Sequence, residues 1–133
     1  PECVKQLRNI IENTNAKIII SSTWKEYGIK FLNELWQERY MPGKIHDLTQ
    51  SLTTTYYMDN KTKESFSLPE THSKGLEINA WLEMNASGYY SYCIIDDECF
   101  FLAQQLQHHI QTNSREGLTA LDAEKVIQML NSK

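Results

Sequence analysis

The sequence contains no long apolar run, and each of its apolar stretches is only a few residues long. A membrane-spanning helix needs about 20 consecutive apolar residues, so the sequence predicts no membrane segment. The chain has 133 residues, of which 41% are hydrophobic and 23% are charged. That is the ordinary composition of a soluble protein, and the length suits one domain with a single core.

Cysteines and basic residues are also scarce. Cys3, Cys93 and Cys99 are odd in number and are not spaced as metal-binding pairs. Reduced thiols are the simplest interpretation, which predicts a cytoplasmic protein. Lys and Arg number 13 against 17 Asp and Glu, a net charge of −4. Extended nucleic acid is therefore not an expected partner, because it needs a broad basic surface; a small local site stays open.

Acidic residues are concentrated at one point of the chain, directly after an apolar run at 92–95. The three consecutive acids there are Asp96, Asp97 and Glu98. In open α/β sheets, ligands bind outside the carboxyl ends of the strands. Neighbouring carboxylates repel one another unless a cation neutralises them, and Mg²⁺ prefers oxygen ligands of this kind. The plainer alternative is the acidic first turn of a helix, which is how we interpret Glu98.

Hydroxyl side chains follow a second apolar run, at 18–20. These are Ser21, Ser22 and Thr23. One strand end that carries carboxylates and another that carries hydroxyls predict a site for Mg²⁺ and a phosphate. The alternative is that the hydroxyls cap the next helix, and we expect Thr23 to do only that. The four histidines are interpreted as structural or exposed.

Hydrophobic periodicity predicts alternating helices and strands. Such alternation implies parallel pairing with right-handed crossovers, so we expect an α/β fold with three layers and a mostly parallel sheet. Residues 53–72 read as an inserted β-hairpin with its turn at 59–61, and Ser73 as the cap of the next helix. Trp24, Trp36 and Trp81 are expected in the core, and so are Phe31, Leu32 and Leu35 of the helix predicted over 24–40. The predicted helices cover 2–13, 24–40, 74–84, 100–107 and a segment after Thr119, and the predicted strands 17–21, 44–48, 89–95 and 109–112.

Taken in order, these segments resemble the haloacid dehalogenase (HAD) superfamily, and within it the small HAD-like domains of Swiss-army-knife RNA-repair proteins. The resemblance covers about 1–131 and depends on the order and spacing of its motifs. It implies a doubly wound parallel sheet and Mg²⁺-dependent phosphoryl transfer through an aspartyl phosphate. The segments that carry it are Lys-Ile-Ile-Ile-Ser-Ser-Thr-Trp-Lys at 17–25, Lys-Gly-Leu-Glu-Ile at 74–78, Trp-Leu at 81–82, Ile-Ile-Asp-Asp at 94–97, Gln-Thr at 111–112 and Gly-Leu-Thr at 117–119.

The resemblance also implies roles for individual residues. Ser21 matches the phosphate-binding hydroxyl of the family, and Lys74 matches the basic residue that neutralises the phosphoryl group; these two are the expected catalytic residues. Asp96 and Asp97 match the acidic pair that holds Mg²⁺. Lys25 stands where such relatives often have Arg. The phosphate-binding set implied in this way is Ser21, Ser22, Lys74 and Lys25.

One motif of the family is not found in residues 1–133. The family's Asp-x-Asp, which supplies the nucleophile at the end of an apolar strand, precedes the first helix. Asp47 and Asp59 do not replace it, because Asp47 follows a weak strand and Asp59 lies in a predicted turn. We therefore expect the nucleophile and the first strand of the domain to lie in a segment ahead of Pro1, and residues 1–133 alone to be inactive.

Three functions remain open at this point. The leading one is a Mg²⁺-dependent phosphohydrolase that acts on a phosphorylated small molecule or nucleotide. The second is a catalytically inactive phosphate-binding, metal-binding or interaction module with the same fold. A carboxylate-metal nuclease is supported only by the acidic cluster, and the acidic net charge disfavours it.

Overall fold

The computed structural model describes residues 2–51, 56–58, 65–67, 70–99 and 101–132. Within these residues, no helix is long and apolar enough to cross a membrane. The helices are α1 (Glu2–Thr14), α2 (Ile29–Glu38), α3 (Glu70–Asn85) and α4 (Ala120–Asn131), with two 3-10 helices at Thr23–Tyr27 and Ala103–His108. The strands are β1 (Ile18–Ile20), β2 (Ile45–Leu48), β3 (Tyr56–Met58), β4 (Ser65–Ser67), β5 (Ile94–Asp96) and β6 (His109–Gln111).

The described strands form three separate pairs. β1 pairs with β2 in parallel, and β5 pairs with β6 in parallel. Helical segments connect the two strands of each parallel pair, which confirms an α/β arrangement with parallel pairing. The single continuous sheet of the predicted fold is not formed by these strands. β3 and β4 pair antiparallel, as expected for the hairpin; its predicted turn at 59–61 lies outside the described residues.

The core lies where α1 packs against α4. Ile10, Ala123 and Val126 are buried there, and partly buried side chains from β6, from α4 and from the residues just before β5 and α4 pack against them. Local signals fix both helices where the sequence predicts them. Thr119 accepts a hydrogen bond from the Asp122 backbone N–H, and its own N–H donates to the Asp122 carboxylate, so the capping box is present. Asn15 ends α1 in the left-handed conformation, with φ of 55°.

The single helix predicted over 24–40 is wrong. Gly28 has φ of 84° and ψ of 155°, a backbone conformation that is incompatible with a helix. It therefore separates the 3-10 helix at Thr23–Tyr27 from α2. The break turns the first segment outward from the position expected for it. Trp24 and Phe31 are 52% and 48% exposed, so the expectation that they belong to the core is also wrong, whereas Leu32 is buried as predicted.

Two further boundaries differ from the sequence prediction. α3 begins at Glu70 and already contains Ser73, so Ser73 is not its cap and residues 70–72 are not part of the hairpin. The neglected signal was Pro69 followed by an acid, a common start for a helix. β5 covers only Ile94–Asp96 instead of 89–95, and therefore ends on the first acid of the cluster.

Candidate functional site

An ion pair occupies the carboxyl end of β5. The Lys74 ammonium lies 2.9 Å from an Asp96 carboxylate oxygen and 3.5 Å from the Glu98 carboxylate. The other Asp96 oxygen accepts the Glu98 backbone N–H at 2.9 Å. Lys74 and Asp96 are 22 positions apart in the chain, so the fold brings together two residues that the sequence assigned to one site.

Both members of this pair have shifted pKa values. Burial tends to raise the pKa of Asp96, but hydrogen bonds from Lys74 and Glu98 and the positive charge of Lys74 outweigh it and hold that pKa below its usual value. Burial tends to lower the pKa of Lys74, but the Asp96 carboxylate outweighs it and raises that pKa. The strand end therefore carries a fixed cation and a fixed anion at neutral pH.

The backbone at this strand end is held from β6. The Asp96 carbonyl accepts the Thr112 N–H at 3.1 Å and contacts the His109 ring at 3.1 Å, and the Asp97 carbonyl accepts the Gln111 side-chain amide. Asp97 itself is exposed. His109 thus has a structural role, as the sequence interpretation had it.

The end of β1 is the second part of the site. Ser21 and Ser22 follow the strand directly and are half-buried. Ser22 is the residue immediately before the 3-10 helix, but its side chain makes no capping hydrogen bond to that helix. This removes the capping alternative for the Ser22 hydroxyl. Among the described residues, no hydrogen bond joins Ser21 to Lys74, so their expected meeting around a phosphate stays a prediction.

Lys25 has a buried side chain with three acceptors. Its ammonium donates to the Thr49 hydroxyl at 3.1 Å, to the Gln50 carbonyl at 3.4 Å and to the Glu77 carboxylate. Thr49 in turn donates its backbone N–H to the Ile20 carbonyl at the end of β1. Lys25 therefore links the end of β1 to α3, and its predicted phosphate-binding role stays a prediction.

Helix α3 connects the two parallel strand pairs. Lys74 reaches Asp96 of β5, Glu77 reaches Lys25 beyond β1, and the Trp81 indole donates to Asp47 of β2 at 2.8 Å. Sequence reasoning missed Glu77. The available signal was its spacing from Lys74, because residues three apart share one helix face.

Gly75 allows α3 to lie close to the second 3-10 helix. A Cβ at this position would lie 2.8 Å from the Gln105 side-chain oxygen and 3.2 Å from the Leu102 nitrogen. The buried Gln105 amide donates to the Gly75 carbonyl at 2.8 Å. The glycine is therefore required by close packing beside Lys74, and no sequence signal pointed to Gln105.

The carboxylates at the end of β5 are the candidate ligands for Mg²⁺. Within the described part of the chain, no three His, Cys, Asp or Glu side chains are grouped so that they could hold a metal ion. Mg²⁺ is usually held by only one or two carboxylates, with waters and substrate phosphates completing its shell. Asp96 and Asp97 supply oxygen donors of that number and type, and Asp96 would share its carboxylate with Lys74.

The site combines hydroxyls and acids at the carboxyl ends of parallel strands with a lysine of α3 that is paired with one of the acids. These are features of an α/β domain of the HAD class. The family described as the HAD domain in Swiss Army Knife RNA repair proteins matches residues 1–123. The chain belongs to this family, and the resemblance predicted from its motifs is confirmed. No curated protein and no solved structure matches the chain.

Replacement of Lys25 by Met should lower the free energy of unfolding by about 3 kcal/mol or more, because it breaks the buried ion pair between Lys25 and Glu77 by removing one of its two charges. The double variant Lys25→Met/Glu77→Leu should recover more than half of that loss, since it removes both charges. Urea unfolding measures both effects. Lys30→Met, at an exposed position of α2, is the control and should change little. If the double variant loses as much unfolding free energy as Lys25→Met and Glu77→Leu lose together, the pairing is contradicted.

The stability of the protein should fall at acid pH in a way that depends on Asp96. Its folded pKa lies below the value of 3.8 that an aspartate has in an unfolded chain, so its contribution is fully present above 3.8 and is lost as the pH falls through the folded pKa. Unfolding free energies measured between pH 6 and pH 2.5 in chelator should therefore decline less steeply in Asp96→Asn than in the wild type. Parallel curves would contradict a depressed pKa at this carboxyl.

Proposed function

We propose that this HAD domain performs Mg²⁺-dependent phosphohydrolase chemistry on a phosphorylated small molecule or nucleotide. The observation that carries the proposal is the Lys74–Asp96 pair, in which a cation and a carboxylate are held 2.9 Å apart at the carboxyl end of a parallel strand. Chemistry on a phosphoryl group consists mainly of positioning and charge stabilisation. A fixed lysine beside fixed acids supplies both.

The residues take the following parts in this proposal. Lys74 neutralises the phosphoryl oxygens, and the Ser21 and Ser22 hydroxyls donate hydrogen bonds to them. Asp96 and Asp97 hold Mg²⁺, which when bound adds positive charge next to the phosphoryl group. Lys74 keeps its ammonium charged throughout, because Asp96 raises its pKa.

Lys25 is one turn beyond the two serines and enters the proposal as a further cation of the phosphate site. Its contacts with Glu77 and Thr49 favour a positioning part. It holds the segment after β1 against α3, and it reaches a phosphate only by releasing one of its three acceptors.

The nucleophile is proposed to come from a strand between β1 and β5. In the described part of the chain, β1 pairs only with β2 and β5 only with β6, so each has one edge that a further parallel strand could pair. Such a strand would join the two pairs into the continuous, three-layered sheet of the predicted fold. An aspartate at its carboxyl end would lie between the serines and Asp96, where attack on the phosphorus requires it.

One observation favours the second candidate, a catalytically inactive phosphate- or metal-binding module. The Asp96 carboxylate is already satisfied by Lys74 and by the Glu98 N–H, and the Lys25 ammonium by Glu77, so both groups have structural partners without any turnover. The two candidates share the same binding residues and differ only in the nucleophile. The predicted cytoplasmic location belongs to both.

Addition of Mg²⁺ together with inorganic phosphate should raise the melting temperature of the protein, because both ligands bind the folded state. Asp96→Asn and Asp97→Asn should each abolish the Mg²⁺-dependent part of the rise. Glu124→Gln, at an exposed position of α4, is the control and should keep it. Equal shifts in all four proteins, measured by differential scanning fluorimetry, would exclude these acids as the metal ligands.

Turnover of an aryl phosphate should separate the enzyme from the module. Residues 1–133 alone should be inactive, and the same chain extended by an apolar strand ending in Asp-x-Asp should hydrolyse the ester in a Mg²⁺-dependent way. Replacement of the first aspartate of that motif by Asn should remove the activity. An inactive extended protein that still binds phosphate supports the module. Activity of residues 1–133 that Asp96→Asn abolishes would make the account of the nucleophile wrong, and Asp97 and Asp47 would be tested next.

A further inference from the structure

An exposed row of aromatic side chains lies just beyond the serines at the end of β1. Trp24, Tyr27 and Phe31 are 52%, 62% and 48% exposed. Their ring centroids are 5.6 Å apart from Trp24 to Tyr27 and 5.4 Å apart from Tyr27 to Phe31. The neighbouring rings are tilted by 43° and 31°, and about half of each side chain remains exposed. This aromatic row leaves ring faces open to a ligand.

Trp24, the first ring of the row, lines a concave surface that also reaches Ser22 of the proposed phosphate site. Trp24 and Ser22 line one cavity of about 250 Å³, together with Arg39 and apolar side chains of β1, α2 and β2. The lining contains one cation and no carboxylate, although the chain as a whole has a net charge of −4. An apolar cavity with a few polar groups is typical of a small-molecule site, and its charge suits an anionic ligand.

We infer that the aromatic row and this cavity bind the base of a nucleotide whose phosphate lies at Ser21 and Ser22. The inference rests on the proposed function and names the substrate class of that site. Every nucleobase has a flat π face that stacks on aromatic side chains without regard to sequence. Arg39 adds a cation that can pair with a phosphate or stack on a base.

A single nucleotide unit fits these observations better than a long strand or a protein partner. The cavity of about 250 Å³ is smaller than the roughly 300–1,000 Å³ of most ligand pockets, so it suits one base, and the acidic chain offers no broad basic surface for a phosphate backbone. A row of three rings beside a hydroxyl-bearing strand end supplies a stacking face and a phosphate contact within one short segment, 21–31. The end of a nucleic acid strand could enter in the same way, with only its last nucleotide held.

Binding of adenosine 5′-monophosphate and of ribose 5-phosphate, measured by calorimetry on the 133-residue chain with Mg²⁺, tests the inference. The two ligands differ only in the base. The nucleotide should bind about tenfold more tightly, the factor that one stacked base is expected to contribute. Trp24→Ala should erase this difference and leave ribose 5-phosphate unaffected, and Trp24→Phe should keep most of it. Tyr89→Ala removes an exposed aromatic from the loop before β5, at the opposite strand end, and should change neither affinity.

The outcomes separate the base site from the phosphate site. Equal affinity for the two ligands, no binding of the nucleotide, or equal loss for both ligands in Trp24→Ala would overturn the inference. A fall in unfolding free energy as large as that for a buried core side chain, in both Trp24→Ala and Trp24→Phe, would also overturn it. The ring would then have a structural role. If Lys74→Met leaves both affinities unchanged while the advantage of the base persists, the proposed phosphate site fails and the base site stands.

Discussion

The position of α3 against both parallel strand pairs depends on two largely buried ion pairs of opposite sense. Lys74 faces the acids after β5, and one helical turn later Glu77 faces Lys25 beyond β1. Because the order along the helix is cation then anion, a slide by one turn would bring Lys74 towards Lys25 in one direction, or Glu77 towards Asp96 in the other. Buried like charges are costly, so the pairs select one placement of the helix even where their net contribution to stability is small.

That placement joins strand ends that do not pair with each other. The path runs from the Ile20 carbonyl through Thr49 and Lys25 to Glu77, then along one turn of α3 to Lys74 and Asp96. Gly75 lies within this turn and permits close contact with Gln105. The distance between the hydroxyl-bearing end of β1 and the acidic end of β5 is therefore set by α3, and any change in the packing of α3 alters the site that both ends form.

The sequence predicts the parts of this arrangement that local physics decides. Asn15 ends a helix through its backbone preference, and Thr119 begins one through its side chain. The acids after β5 are recognisable because the end of a strand depends on neighbouring residues only. The break at Gly28 was missed because hydrophobic periodicity continues across it. The pairing of Lys25 with Glu77 was missed for another reason: it joins residues 52 positions apart, and a lysine of this kind has the same sequence signature whether it binds a phosphate or a buried acid. The exposure of Trp24 follows from the break at Gly28, so it could not be predicted from the hydrophobic periodicity either.

The same contacts bear on how the site handles charge. Asp96 is an anion at neutral pH because Lys74 holds its pKa down, so it can accept a divalent cation without losing a proton. When Asp96 engages such a cation, Lys74 loses part of its counter-charge in a poorly hydrated place, which opposes binding of the cation alone. A phosphate restores the missing negative charge to Lys74 and shares its oxygens with the cation. Each ligand thus removes the cost of the other, and thermodynamic linkage requires the effect to be reciprocal. In the proposed function, the pair at the end of β5 would therefore favour a phosphate and a cation together over either one alone, whether or not a nucleophile is present.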